Sequence, residues 1–351
     1  MSDHIRIGDR LVGPGEPCYV IAEAGSNHNR DLATAYRLID VAAEAGADAI
    51  KFQTYTAERI YARGTPMAAY LEGTDAVKPG ENLFDLIRRI ELPREWQPLL
   101  AQRAQERGIH FFSSPFDEQA VAELAAVGVP ALKIASFELT HFPLLRSAAR
   151  TGIPLLVSTG MATETEIEEA LEVVRSVADV PVALLHCVST YPAPPEACNL
   201  RAMETMRRRF RVPVGFSDHT LGTAIDVAAA TLGADLLEKH FTLDRRQAGP
   251  DHPFAVEPDE LRQIVEGVRA CRAALGDGLK RPHPCEAPMR ELRRGLVAGT
   301  FIRKGTMIAE THVSVKRPGP GIQTRELPSL LGKTARRDIE EDEVLRWEMF
   351  E

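Results

Sequence analysis

No stretch of the 351-residue sequence approaches the ~18 consecutive apolar residues that a membrane-spanning helix needs. The N-terminus, MSDHIRIGDR, is polar and lacks the apolar core of a secretory signal. No membrane association is therefore expected. The five cysteines (Cys18, Cys187, Cys198, Cys271, Cys285) are odd in number and form no CxxC or comparable pair. That argues against a disulfide framework and a thiolate metal site, and a cytoplasmic, reducing location is expected. Positive charge is not in excess: the formal net charge is −8, which argues against nucleic acid held by general electrostatics, though a local basic pocket is still allowed. Low-complexity segments and Gly-rich phosphate loops are absent as well.

What is present is ordinary for a globular protein: 44% hydrophobic and 26% charged residues. The length suggests one large domain with a smaller one, or two comparable ones. Eight short apolar runs recur, each closing on polar residues: CYVIAEAG (18–25), AIKFQTY (49–55), IHFFSSPF (109–116), ALKIASFE (131–138), PLLVSTG (154–160), VALLHCVSTYP (182–192), VPVGFSDHT (212–220) and DLLEKHF (235–241). Buried parallel strands read this way. Helical patterns lie between them, as in 31–47, 163–178 and 222–234, and Thr163 followed by Glu166 predicts a capping box. Eight βα units predict an α/β fold, a (β/α)8 TIM barrel over residues 1–275, rather than an open doubly wound sheet. The long connection 56–108 is expected to be a loop over the barrel mouth. Pro282, Pro284 and Pro288 mark 276–292 as a stiff, extended linker. Residues 293–351, with turn signals and no long helical pattern, predict a small β-rich domain.

In such a barrel the active site sits at the C-terminal strand ends. Those ends collect Glu23 and Asn27-His28; Lys51 and Gln53; Ser113-Ser114; Lys133, Ser136 and Glu138; Ser158-Thr159; His186, Ser189 and Tyr191; Ser217, Asp218 and His219; and Glu238, Lys239 and His240. His219 and His240, on neighbouring strand ends, are placed to share a divalent ion, with Asp251 following; either alone would be a histidine bonded to a loop. Lys51 and Lys133 lie inside apolar strands, where an ammonium without an anion is costly. With Ser114, Ser136, Ser158 and Ser217 they form a set suited to an anionic ligand; singly, each serine reads as a turn or cap residue. Glu23 and Glu138 are candidates for acid/base work or for substrate hydroxyls, or for ion pairs with those lysines. Lys239 points away from His240 by the period-two rule and is assigned a structural or supporting role behind the site.

In order along the chain, IAEAGSNHN, GADAIKFQTY, FFSSPFD, KIASFE, STGMAT, LHCVSTYPAP, GFSDHTLG, EKHFTLDR with GPDH, and VKRPGPG resemble the motifs of the bacterial N-acylneuraminate (sialic acid) synthase family, which includes pseudaminic and legionaminic acid synthases. The resemblance runs over nearly the whole chain. Its tail is similar to the antifreeze-like (SAF, β-clip) domain of these enzymes.

The resemblance implies a transferase: phosphoenolpyruvate condenses with the open-chain aldehyde of an N-acylated hexosamine (ManNAc or a 2,4-diacetamido-trideoxyhexose), water is consumed, and phosphate leaves by C–O cleavage. By motif match, Glu23, Asp251 and His240 are catalytic, and His219 and His240 hold Mn2+ or Mg2+. Lys51, Ser114, Lys133, Ser136, Ser158 and Ser217 would bind phosphoenolpyruvate. Gln53, Tyr191 and Asp251 would face the sugar or the metal-bound water, with Glu138 and Ser189 among the substrate-binding residues. Arg317 would reach from the small domain of one subunit into the barrel of the other, implying a domain-swapped homodimer.

Ser189 departs from the asparagine frequent in the sialic acid type. KIASFE is similar to the pseudaminic type, while LHCVSTYPAP and HFTLDRRQAGPDH lean to the sialic or legionaminic type, so the motifs point to a reaction without choosing a sugar. Two other readings stay open: a Schiff-base aldolase with Lys133 or Lys239 as nucleophile, and a non-catalytic carbohydrate-binding protein.

Overall fold

The computed structural model describes residues 3–68, 71 and 76–351 and divides them into two compact units, one ending at Gly276 and the other running from Asp277 to Glu351. Among the described residues no helix is long and apolar enough to cross a membrane.

In the first unit, eight parallel strands build one sheet: β3 (Tyr19–Gly25), β4 (Ala49–Thr54), β5 (His110–Pro115), β6 (Leu132–Ile134), β7 (Leu155–Ser158), β8 (Val182–Cys187), β9 (Val214–Asp218) and β10 (Leu236–His240). Their order is β5-β4-β3-β10-β9-β8-β7-β6, and β5 packs beside β6, so the sheet closes on itself as a TIM-like barrel. All eight apolar runs in the sequence are thus strands. The outer layer comprises α1 (Leu32–Ala45), α4 (Gln97–Glu106), α5 (Glu118–Val127), α6 (Phe142–Arg150), α7 (Glu164–Arg175), α8 (Ala202–Phe210), α9 (Ala224–Thr231) and α10 (Pro258–Leu275).

Local signals explain the helix ends. Asp31 caps α1 by accepting from the Thr34 amide, and Gly46, at φ 83°, stops it in a left-handed conformation that costs glycine little. The Thr163–Glu166 capping box opens α7 as its sequence predicts. Leu, Ile, Val and Phe side chains between sheet and helices are essentially solvent-free, each contributing ~1.5–3 kcal/mol by burial.

The N-terminus adds a hairpin that the sequence pattern does not predict, β1 (Ile5–Ile7) with β2 (Arg10–Val12). Each strand has only three residues, too short for a periodicity signal. Its turn is tied to the start of β5, where His110 Nε2 lies 3.1 Å from the Asp9 carboxylate and Nδ1 lies 2.7 Å from the Tyr19 hydroxyl. The hairpin therefore sits at the end of the barrel opposite the strand C-termini.

The 56–108 connection is more than the expected loop. It contains α2 (Ala57–Ile60) and α3 (Leu83–Ile90) before α4, with Leu71, Leu83, Leu86 and Ile90 in an apolar cluster of their own; residues 69–70 and 72–75 of that expectation lie outside the described residues.

In the second unit the proline-bearing segment is not extended from Pro284 onwards. Pro284–Glu286 forms a 3-10 turn and α11 (Ala287–Glu291) follows, because proline is well tolerated in the first turn of a helix. Beyond it, β11 (Gly295–Ala298) pairs antiparallel with β12 (Val313–Lys316), and α12 (Leu327–Leu330) is a single turn. A separate core holds the unit together, with Leu296, Ile302, Ile322, Leu345 and Phe350 in it.

Candidate active site

The inward-facing residues at the strand C-termini line a polar cavity of about 50 Å3 at the centre of the barrel mouth. Lys51 on β4 lies 2.8 Å from Glu23 Oε2 on β3 and donates to Ser114 Oγ on β5 at 3.2 Å. Gln53, two residues on and on the same face of β4, donates to Glu23 Oε1 at 2.7 Å. Opposite, Lys133 on β6 donates to Ser158 Oγ on β7 at 2.7 Å. Glu238 Oε1 on β10 stands between the two ammonium groups, 3.8 Å from Lys51 and 3.7 Å from Lys133, and accepts from Ser217 Oγ at 3.1 Å.

The two carboxylates beside Lys51 diverge. Burial alone would raise both, yet the lysines Lys133 and Lys51 draw Glu238 down to about 2, so it is ionised. Glu23 is pushed up, by burial first, against the pull of Lys51 and with the charge of Glu238 adding to the rise. One site thus holds two carboxylates whose surroundings shift them in opposite directions. Burial also lowers Lys133, while the neighbouring carboxylates keep Lys51 raised despite its burial.

Ser136, in the turn after β6, has its hydroxyl 3.0 Å from Cys187 Sγ and accepts from the Gly160 amide at 3.0 Å. Gly160 is required there, since a Cβ would come within 2.2 Å of Ser189 Oγ and 2.7 Å of Cys187 Sγ. The β7 loop can fold over this corner only without a side chain.

His219 and His240 face each other with ring centroids 5.5 Å apart, and Tyr191 packs on His219 at 4.3 Å. His219 Nδ1 lies 2.7 Å from the Val188 carbonyl, which only accepts, so that nitrogen carries the proton and Nε2 is left to bind a ligand. His240 Nδ1 is buried without a hydrogen-bond partner. Burial lowers both imidazoles, His240 to about 3, so both are neutral, the form a metal needs. Asp251 Oδ2 is 3.9 Å from His240 Nδ1 and is held by Ser26 Oγ at 3.2 Å. Gly25, at φ 49° beside a register shift in the β3–β4 pairing, makes room for that carboxylate: a Cβ would come within 2.6 Å of it. Among the described residues no three His, Cys, Asp or Glu side chains converge as a metal cage. The fit to a divalent ion therefore rests on the histidine pair and the orphaned Nδ1, with Asp251 beside the pair rather than grouped with it as a third ligand.

A NeuB family model matches residues 38–280. The chain belongs to the NeuB family. A SAF domain model matches residues 293–351, so the small C-terminal β-rich part is a SAF domain. The N,N'-diacetyllegionaminic acid synthase of Legionella pneumophila is 38% identical over 350 residues, 98% of each protein. The pseudaminic acid synthase of Helicobacter pylori is 35% identical over 321 residues, 91% of this chain and 94% of that one. Among solved structures, the N-acetylneuraminic acid (sialic acid) synthetase of Leptospira borgpetersenii in complex with citrate superposes with a TM-score of 0.72 at 36% identity, covering 82% of this chain and 95% of that one. This NeuB-family chain is accordingly an enzyme, similar over almost its full length to synthases of nonulosonic acids.

The fold of this NeuB member brings together most of the residues expected from the sequence. Glu23, Lys51, Gln53, Ser114, Lys133, Ser136, Ser158, Tyr191, Ser217, His219 and His240 line the central cavity, and Ser189 and Asp251 line the larger space beside it. Glu138 is partly buried behind the β6 turn, its carboxyl raised to about 7 by burial against the pull of Lys133. Arg317 is exposed on the SAF unit, directly after β12.

Other strand-end residues are absorbed by packing. His28 accepts from the Arg30 amide between Phe52 and Trp96, Asn27 bonds the Phe241 carbonyl, and His186 bonds the Cys198 carbonyl. The role of Glu238 was missed, although its spacing of two from His240 puts both on the inner face. Ser26, Cys187 and Gly160 carried no comparable signal, because their neighbours come from other loops.

Proposed function

We propose that the enzyme condenses phosphoenolpyruvate with the open-chain aldehyde of an N-acylated hexosamine and water, releasing phosphate and a 2-keto sugar acid. The observation that carries this reading is the pair of buried lysines, Lys51 and Lys133, flanking one ionised carboxylate inside a ring of hydroxyls. Such a cavity suits a compact polyanion, which phosphoenolpyruvate is and a neutral sugar is not.

In this reading Lys51 with Ser114 and Lys133 with Ser158 bind the phosphate and carboxylate, helped by Ser136 and Ser217. C3 of phosphoenolpyruvate attacks the aldehyde carbon, forming the C–C bond. The aldehyde oxygen gains a proton, and C2, left electron-poor, takes up water. The C2–O bond to phosphate then breaks and phosphate carries away the electron pair. Glu23, the carboxyl that takes up a proton, handles proton transfer, steered by Gln53 and Lys51. Gln53, Asp251 and Tyr191 orient the sugar, with Ser189 and Glu138 nearby. His219 and His240 would hold a divalent ion, Mn2+ or Mg2+, which supplies Lewis-acid stabilisation to the aldehyde oxygen.

Arg317 at the end of β12 would contact the N-acyl group in a partner's barrel, in a domain-swapped homodimer; its exposure on the SAF unit is compatible with such a reach. Phosphate release should require phosphoenolpyruvate, hexosamine and a divalent ion together, and should be lost in His240→Ala. Undiminished release after chelation would reject the metal-assisted part.

A second reading keeps one supporting observation. Burial lowers Lys133, as an imine-forming lysine requires. Borohydride with pyruvate would trap an adduct on Lys133 in a Schiff-base aldolase, and no adduct is expected here. Lys239 drops out of that reading, because its ammonium is buried outside the barrel against Asp218 and Asp226.

A further inference from the structure

One corner of the central cavity holds a side chain without a part in the proposed reaction. Cys187, the last residue of β8, is buried, and it lines the cavity together with Ser136. Its Sγ lies 3.0 Å from Ser136 Oγ and 3.8 Å from Ser189 Oγ. The Gly160 amide donates to the same Ser136 oxygen, also at 3.0 Å. A hydroxyl has one hydrogen to give and two lone pairs to receive. Gly160 takes one lone pair, so the thiol contact has two forms: Ser136 gives its hydrogen to sulfur, or the thiol gives its hydrogen to the second lone pair. Sulfur is a weak acceptor, and the first form yields once an anion stands within reach of the hydroxyl. In the second form both lone pairs are filled, and the serine hydrogen is left for the anion.

We infer that Cys187 is a positioning residue for phosphoenolpyruvate: its thiol donates to Ser136 Oγ and turns the serine hydrogen towards the bound anion. This rests on the reading of Ser136 as a ligand of phosphoenolpyruvate. A thiol suits the place because its long bond to carbon carries the donor to Ser136, where a hydroxyl at position 187 would stop short. The loop after β7 closes directly on the pair: a Cβ on Gly160 would come within 2.7 Å of the sulfur and 2.9 Å of Ser136 Oγ. Cys187 also lines a groove of about 600 Å3 between α7 and α8, so it stands in the wall between that groove and the central cavity. The two roles separate kinetically. A breached wall admits water and lowers kcat, whereas a lost donor weakens binding and raises KM.

The test measures phosphate release by the full-length enzyme with Mn2+ and an N-acylated hexosamine while phosphoenolpyruvate is varied, with thermal shift as the check on folding. Cys187→Ala should raise KM for phosphoenolpyruvate about fivefold, the worth of one neutral hydrogen bond, and change kcat by less than about twofold. Cys187→Ser, which keeps a donor, should recover part of that rise. In a Ser136→Ala background, Cys187→Ala should add nothing, because the thiol acts through that hydroxyl. If Cys187→Ala fails to fold, Cys187→Ser carries the same comparison, and its effect on KM must vanish when Ser136 is replaced. Additive effects of the two substitutions, an unchanged KM in Cys187→Ala, no recovery in Cys187→Ser, or a fall in kcat alone overturns the inference and leaves the synthase reading standing. An unchanged KM in Ser136→Ala removes Ser136 as a ligand and the inference with it. No release by the unaltered enzyme with any N-acylated hexosamine overturns the synthase reading as well.

Discussion

Lys51 and Glu23 face each other across the β3–β4 pair, Nζ to Oε2 at 2.8 Å, both shielded from solvent. Glu238 competes for the same ammonium from 3.8 Å, and in the proposed reaction the two carboxylates divide the work: Glu238, drawn down by the lysines, is the fixed anion and Glu23, pushed up by burial, is the proton carrier. Glu23→Gln keeps the shape and the acceptor but cannot exchange a proton, so kcat should fall by ~10²–10⁴ while KM for phosphoenolpyruvate changes little. Glu238→Gln should instead lower the melting temperature, because Lys133 loses its counter-charge, and phosphoenolpyruvate should restore much of the loss by binding the folded state. Steady-state kinetics and thermal shift on the two variants separate these roles. Equal effects on kcat would contradict the division.

On the outer side of the same strands, Lys239 stands back to back with the histidine pair. Its ammonium bonds Asp218 and the Thr220 carbonyl, at 2.7 Å, so it grips the chain on both sides of His219, and Asp226 on α9 lies 3.3 Å away. Lys239→Met would leave buried carboxylates without a cation and should cost ~3–5 kcal/mol of stability. Adding Asp218→Asn should recover part of that loss. Urea denaturation of the single and double variants measures it, and a cost below ~1 kcal/mol would show that the cluster does not hold this loop.

The Glu138 carboxyl gives a pH signature. Its ordinary value is 4.5, and burial raises it to about 7 in the folded protein. Below pH 4.5 it is protonated whether folded or unfolded and costs nothing. As pH rises from 4.5 to 7 the unfolded chain ionises first, and stability falls. A rise from 4.5 to about 7 corresponds to no more than ~3.5 kcal/mol, and to less because the group is partly exposed. Glu138→Gln should therefore stabilise the protein at pH 8 and not at pH 4.5. Equal melting-temperature differences at both pH values would contradict the shift.

Much of the barrel was legible in the sequence because the eight strands are near-continuous apolar runs that end in polar residues. Most of the inner site was legible for the same reason: Lys51 and Gln53, or Ser217 and His219, alternate onto one face. Signals that depend on distant neighbours were not legible. Gly160 matters because Cys187 and Ser189 at the end of β8 and Ser136 in the turn after β6 converge on it, and Glu238 matters because it meets lysines from β4 and β6. The stripe Leu83, Leu86, Ile87 and Ile90 reads as an ordinary amphipathic face until the fold places it over the barrel mouth. Pro284 and Pro288 suggested an extended chain, but both fall in first turns, where proline favours a helix.

The proposed chemistry is tested most directly by the origin of the oxygen in the released phosphate. With phosphoenolpyruvate, an accepted hexosamine and Mn2+ in H2(18)O, water adds to C2 and the C2–O bond breaks, so phosphate should leave without 18O by mass spectrometry. Phosphate carrying one 18O atom would place cleavage at the P–O bond and contradict the account.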